Sequence, residues 1–172
     1  MSYYFTILST RDTPLFSLAL GTAKAGGDST PRFPPQALQL CPYLLHASLD
    51  FVDEAQFANP AMYLKRIDAF ASASISCFIT PTSTRFLLLH LPHAPNTNPQ
   101  AGMGEGRGFG PFVPAVPMNP ASPQAEEAVR QFFGEVFEVW IKAQMSPFQD
   151  GEGKLGSPVF RERVRAAGRK YL

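Results

Sequence analysis

Cysteine, histidine and net charge are scarce in this chain of 172 residues. The two cysteines, Cys41 and Cys77, are too few for a disulfide framework or a four-cysteine zinc site, so a reducing compartment is expected. Fifteen basic and fourteen acidic side chains leave a formal charge of +1, which predicts no general attraction to nucleic acid. Apolar runs such as residues 86–89 are far shorter than the roughly 20 residues of a membrane-spanning helix, and no export signal is expected.

Proline and glycine are plentiful but unevenly placed, with 17 and 13 copies. Many of them fall in residues 92–123, a stretch with almost no charge and no apolar period, which predicts a flexible insertion. Residues 21–35 have the same character and predict a looser connection. Because 45% of the residues are apolar and 17% are charged, the chain is expected to form one globular domain over residues 1–172.

Five short segments rich in aromatic and β-branched residues predict strands. Residues 3–9 and 15–20 flank a turn-forming cluster and predict a β-hairpin. A meander of three further strands is predicted from residues 63–68, 72–80 and 84–91. Because the last two segments are apolar on both faces, helices are expected to cover both sides of the sheet.

Apolar residues at helical spacing predict three helices. The first includes residues 43–52, and its start is open: Pro42 either belongs to its first turn or kinks a helix that begins near Gln36. The second covers residues 126–142, and the third begins at residues 157–158, a serine and a proline typical of an N-cap and first turn. These elements predict an α+β fold: an α/β/α sandwich with a five-stranded antiparallel sheet and the order β-β-α-β-β-β-α-α.

Residues suited to catalysis or metal binding are few and isolated. The three histidines, His46, His90 and His93, have no second ligand at metal-binding spacing. Cys41 and Cys77 have no activating neighbours in the sequence, which favours a buried apolar role for both. We therefore predict no catalytic residue, no metal site, no cofactor and no enzymatic activity. An enzyme of profilin-like or PAS-like type is the alternative, and it would need a polar pocket.

Two charged clusters are candidates for partner surfaces. Asp50, Asp53 and Glu54 lie towards the end of the first predicted helix, where the helix dipole disfavours negative charge, so helix stability alone does not account for them. Basic residues recur from Lys154 to Lys170 and concentrate on the last helix. An ordinary solvated helix face is the alternative for both clusters, and the basic one also suits a protein partner or an anionic membrane.

Six segments of the chain resemble one known family in their sequence and in their order. They are HASLDFVDE (residues 46–54), MYLKRIDAF (62–70), RFLLLH (85–90), FFGEVF (132–137), IKAQMSPF (141–148) and residues 160–172. By these segments the chain resembles the sedlin family, small subunits of the TRAPP vesicle-tethering complex. It departs from the family at residues 21–35, at Pro42 and at residues 92–123.

The resemblance implies the longin or SNARE-like (profilin-like) fold, with strand order 2-1-5-4-3 in the sheet. It implies a non-catalytic adaptor that joins the TRAPP core to larger peripheral subunits in ER-to-Golgi and Golgi vesicle transport, and in autophagy. The implied partners are the other TRAPP subunits, with a Rab GTPase reached only through the exchange activity of the complex. The implied location is the cytoplasm, with peripheral association at endoplasmic reticulum and cis-Golgi membranes through the complex.

The same resemblance places an acidic residue matching Asp50 at a surface that recruits the larger subunits. We therefore expect Asp50 to contact a partner together with Asp53 and Glu54, and Tyr63 and Phe148 to shape neighbouring apolar contacts. Another longin-fold trafficking protein, such as a coat small chain, is the alternative.

Overall fold

A five-stranded antiparallel sheet forms the centre of the molecule. The computed structural model describes residues 1–22, 30–33, 35–70, 73–91, 123–147 and 153–172. The strands are β1 (Ser2–Leu8), β2 (Pro14–Gly21), β3 (Tyr63–Phe70), β4 (Ala73–Ile79) and β5 (Arg85–Leu91). They lie in the order β2-β1-β5-β4-β3, and every neighbouring pair is antiparallel. The α+β class, the hairpin and the three-stranded meander predicted from the sequence are thereby confirmed.

Four helices accompany the sheet in the part of the chain that the structure describes, one more than the sequence predicts. They are α1 (Pro35–Ala47), α2 (Leu49–Ala58), α3 (Pro123–Gln144) and α4 (Pro158–Tyr171). The predicted first helix is two helices, so the element order is β-β-α-α-β-β-β-α-α rather than β-β-α-β-β-β-α-α. The predicted cap of the last helix is confirmed, because the Ser157 side chain accepts a hydrogen bond from the Phe160 amide.

Ser48 separates α1 from α2. Its side chain is completely buried, and its hydroxyl donates a 2.9 Å hydrogen bond to the carbonyl of Leu45. A short hydroxyl that binds a backbone carbonyl competes with the regular helix pattern, which accounts for the interruption at this residue. Pro42 lies inside α1, so of the two alternatives for the helix start the earlier one is right. Its ring is exposed to solvent.

Each face of the sheet packs against two of the helices. Alternation along β5 shows the division: Phe86 and Leu88 face α3 and α4, whereas Leu87 and Leu89 face α1 and α2. The predicted three-layer α/β/α sandwich is therefore present, with a pair of helices on each side. Of the proline-rich and glycine-rich stretches predicted at residues 21–35 and 92–123, residues 23–29 and 34 of the first and residues 92–122 of the second lie outside the described residues.

Candidate functional site

The acidic cluster lies on α2, whose outer face carries an unusual stripe of residues. Asp50, Glu54 and Phe57 are spaced four and three residues apart, which places them on one side of the helix. Both carboxylates are exposed, and 93% of Phe57 is exposed to solvent. The opposite side of α2 is anchored by Val52, which is completely buried against the sheet.

These carboxylates lie at a different position along the helix dipole from the one expected. The sequence places them near the end of a helix, but α2 begins at Leu49, so Asp50 lies in its first turn. Negative charge is favoured at that end, because the first backbone N–H groups of a helix carry partial positive charge. The expectation that the dipole opposes the cluster is therefore wrong at Asp50, and helix stability accounts for part of its placement.

Asp53 points to a different set of neighbours. Its Oδ1 lies 2.7 Å from Nη2 of Arg85, the first residue of β5, and Nη1 of the same guanidinium binds Asp12 in the β1–β2 turn. Only 15% of the Arg85 side chain is exposed, compared with 51% for Asp53. The guanidinium thus ties α2 to the sheet and neutralises Asp53 within the chain. Within the described part of the chain, Asp50 and Glu54 form no ion pair.

Exposed apolar side chains are concentrated on the two helices of this layer. Five of the nine exposed large hydrophobic side chains among the described residues lie on α1 and α2: Leu38, Leu40, Tyr43, Phe51 and Phe57. Together with Asp50 and Glu54, we call these residues the α1–α2 outer surface. Sequence reasoning missed Phe51 and Phe57. The spacing from Asp50 to Phe57 was the signal that could have found the second of them.

Tyr63 lies on the other side of the sheet from the acidic residues. Its ring is 5.9 Å from that of Phe133 on α3, and its hydroxyl donates to the carbonyl of Glu126 at 3.4 Å. Burial is the main reason that the pKa of Tyr63 is raised to about 12. The structure therefore keeps Asp50 and Glu54 on one stripe of α2 and turns Asp53 of the same helix towards Arg85. Tyr63 lies on β3 and faces the opposite side of the sheet. Phe148, the remaining candidate, lies outside the described residues.

The cysteines and histidines are dispersed. Cys41 and Cys77 are both buried and unpaired, as expected, and burial raises the pKa of the two thiols to about 11 and about 12, so both stay protonated and unreactive at neutral pH. The ring of His90 stacks on Tyr3 at 4.8 Å, and burial lowers its pKa to about 4. Across the described ranges, no group of three or more His, Cys, Asp or Glu residues is arranged to hold a metal ion.

The basic residues of α4 are partly paired within the molecule. Arg165 and Arg169 both approach Glu162, at 3.6 and 3.9 Å, and Lys170 lies 3.0 Å from Glu135 of α3. These pairs are typical of a solvated helix face, which is one of the two alternatives for the basic cluster. The pair between Lys170 and Glu135 also joins α4 to α3. In the part of the chain that the structure covers, no helix combines the length and apolar character needed to cross a bilayer.

Comparison with known proteins identifies the family. The family model described as Sedlin matches residues 7–170, nearly the whole chain. The chain belongs to the sedlin family. One relative of this sedlin-family chain is the Caenorhabditis elegans "Probable trafficking protein particle complex subunit 2", 29% identical over 99% of this chain and 96% of the worm protein.

Two fungal proteins are similar over their full lengths. The Schizosaccharomyces pombe "Transport protein particle 20 kDa subunit" is 29% identical over 100% of both chains. The Saccharomyces cerevisiae "Trafficking protein particle complex subunit 20" is 24% identical over 100% of this chain and 99% of its own length. The similarity therefore spans the whole α+β unit and not one motif within it.

Proposed function

We propose that this chain is a subunit of a trafficking protein particle (TRAPP) complex and acts there as a non-catalytic adaptor that joins the core to larger peripheral subunits. Membership of the sedlin family and the names of the full-length relatives support the complex. The α1–α2 outer surface is the observation that carries the adaptor role. It combines carboxylates that form no ion pair within the described residues with exposed aromatic side chains, a combination suited to protein contact.

In this proposal the chain contributes binding and no chemistry of its own. The Rab nucleotide exchange belongs to the assembled complex, which acts in ER-to-Golgi and Golgi vesicle transport and in autophagy. The protein lies in the cytoplasm and reaches endoplasmic reticulum and cis-Golgi membranes peripherally, through its partners.

The candidate residues have separate parts in the proposed mechanism. Asp50 and Glu54 present negative charge to a partner, and Asp53 holds α2 in place through Arg85. Tyr63 and Phe148 are proposed to contribute apolar contacts, and Tyr63 would do so from the α3 side of the sheet. Placing a like charge against a partner costs several kcal/mol of binding, so charge reversal at Asp50, the position that the family resemblance singles out, is expected to disrupt the contact.

Affinity purification of the tagged full chain from its own cells tests this function, with the Asp50→Lys variant in parallel. Glu138→Lys is the matched control, because Glu138 is an exposed carboxylate on α3, across the sheet from α2. Mass spectrometry is expected to find TRAPP core and large subunits with the wild type and with Glu138→Lys. The Asp50→Lys chain is expected to keep the core subunits and lose the large ones.

Circular dichroism of each purified variant separates loss of binding from loss of fold. If Asp50→Lys is folded and still recovers the large subunits, the assignment of Asp50 is wrong. Recovery of coat proteins in place of TRAPP subunits by the wild type would replace the proposed function with that of a coat small chain.

A further inference from the structure

Phe57 is the most exposed large apolar side chain in the described residues. It is 93% exposed in the last turn of α2, whereas Val52 on the opposite side of the same helix is completely buried. The helix therefore attaches to the sheet without help from Phe57. A polar residue at this position would keep the same contacts within the chain and avoid placing an aromatic ring in water.

The residues beside Phe57 indicate what chemistry its partner has. Asp50 and Glu54 lie along the same stripe, are exposed and form no ion pair in the described part of the chain. Two carboxylates next to the ring repel an anionic bilayer, which argues against a role as a membrane anchor. When two copies meet through this stripe about a twofold axis, one acidic stripe lies against the other, and α2 contains no lysine or arginine that would offset the repulsion.

We propose that Phe57 is the apolar anchor of the α2 interface and inserts into a pocket of a protein partner whose rim carries lysine or arginine side chains. The rim cations pair with Asp50 and Glu54, and the pocket removes the Phe57 ring from water. This inference rests on the proposed function, because it specifies the surface through which the adaptor holds a TRAPP subunit.

The two kinds of contact act on different rate constants. The contacts of a buried aromatic side chain break only when the complex dissociates, so replacing that side chain raises the dissociation rate. Rim charges accelerate the encounter and are screened by salt, so their removal lowers the association rate mainly at low ionic strength. This difference separates Phe57 from the neighbouring carboxylates in one kinetic measurement.

The experiment uses the full chain and the large TRAPP subunit that the wild type recovers, with binding kinetics measured at low and high salt. Phe57→Ala is expected to raise the dissociation rate about 30-fold at both salt concentrations. Glu54→Gln is expected to lower the association rate several-fold, and high salt is expected to remove this effect. Phe70→Ala is the matched control, because Phe70 is also exposed (59%) but lies at the end of β3. It is expected to behave as the wild type.

Several outcomes overturn the inference. If Phe57→Ala dissociates within twofold of the wild type while Phe70→Ala also binds, Phe57 is not an anchor and the proposed function still stands. If the wild type recovers no TRAPP subunit, the proposed function itself fails. Self-association that Phe57→Ala abolishes, measured by light scattering, would make a second copy the occupant. Sedimentation with phosphatidylserine vesicles that depends on Phe57 would make a membrane the occupant of this surface.

Discussion

The two helical layers use aromatic residues in opposite ways. In the α3–α4 layer, large aromatic side chains point towards the sheet and are buried: Phe132, Phe133, Trp140 and Phe160. In the α1–α2 layer the buried contacts are smaller, such as Cys41, Leu45 and Val52. The aromatic residues of this layer, Tyr43, Phe51 and Phe57, are exposed instead.

The comparison separates a helical layer that buries its aromatic rings from one that exposes them, and under the proposed function the second layer serves recognition. Burial of aromatic rings stabilises the α3–α4 layer without leaving such rings for a partner. The α1–α2 layer is held by smaller side chains and by the Arg85 guanidinium, which leaves its aromatic rings in solvent. A helix pair that buried its aromatic residues would have less apolar surface to offer a partner.

Replacing one phenylalanine in each setting tests this comparison most directly. Phe5 is completely buried, and its ring lies within 6.4 Å of those of Phe16, Phe86, Phe132 and Phe133. Phe5→Ala removes these contacts and leaves a cavity, so the free energy of unfolding is expected to fall by about 3 to 5 kcal/mol. Urea denaturation followed by the fluorescence of Trp140, the single tryptophan, measures it.

Phe57→Ala is the control for this substitution and is expected to change the free energy of unfolding by less than about 0.5 kcal/mol. A loss of more than about 2 kcal/mol in Phe57→Ala would mean that this ring contributes to the fold. The contrast between the two layers would then be wrong.

The strands and most of the helices could be predicted from the sequence, but the break between α1 and α2 at Ser48 could not. Strand and helix periodicities reflect burial on one or two faces, and they predicted all five strands and the α3 and α4 helices. Apolar residues at helical spacing continue from Leu45 to Val52, so the pattern carries no sign of the interruption between them. The interruption depends on a hydroxyl that binds a carbonyl three residues earlier, which spacing does not show.

The candidate site could be predicted from the sequence only in part, because some of its contacts join residues that are far apart in the chain. Exposure of Asp50 and Glu54 follows from their charge, but Asp53 has the same chemistry and finds Arg85 32 residues along the chain. Only the fold brings these two residues together. Phe57 was missed because an aromatic residue is normally expected in a core, and a surface reserved for a partner has the same composition as a core.

His90 is a polar side chain on the α3–α4 side of the sheet, and we expect it to make the stability of the fold depend on pH. Its ring stacks on Tyr3, and its Nε2 is buried without a hydrogen-bond partner among the described residues. Burial and the nearby N-terminal ammonium lower the pKa of His90 from 6.5 to about 4. Between these values the unfolded chain binds more protons, so stability is present above pH 6.5 and is lost as the pH falls towards 4.

Urea denaturation of the wild type and His90→Phe between pH 7.5 and pH 5 measures this contribution. His90→Phe keeps the stacking and removes the titrating group. The wild type is expected to lose about 2 kcal/mol more than the variant over this range. Equal losses would show that His90 is not the group responsible and that the α3–α4 layer tolerates its protonation.

Replacement of Arg85 is expected to have the smallest effect of the three on the free energy of unfolding. Arg85 holds α2 against the sheet through ion pairs, whereas the α3–α4 layer is held by buried aromatic rings. Arg85→Ala leaves Asp12 and Asp53 without their shared cation, and the free energy of unfolding is expected to fall by about 1.5 kcal/mol. Asp53→Asn is expected to cost less, about 0.5 kcal/mol, because Asp53 is half exposed. Arg66→Ala, at an exposed arginine on β3, is the control in urea denaturation. If Arg85→Ala is no less stable than Arg66→Ala, the smaller apolar contacts alone hold α2 against the sheet.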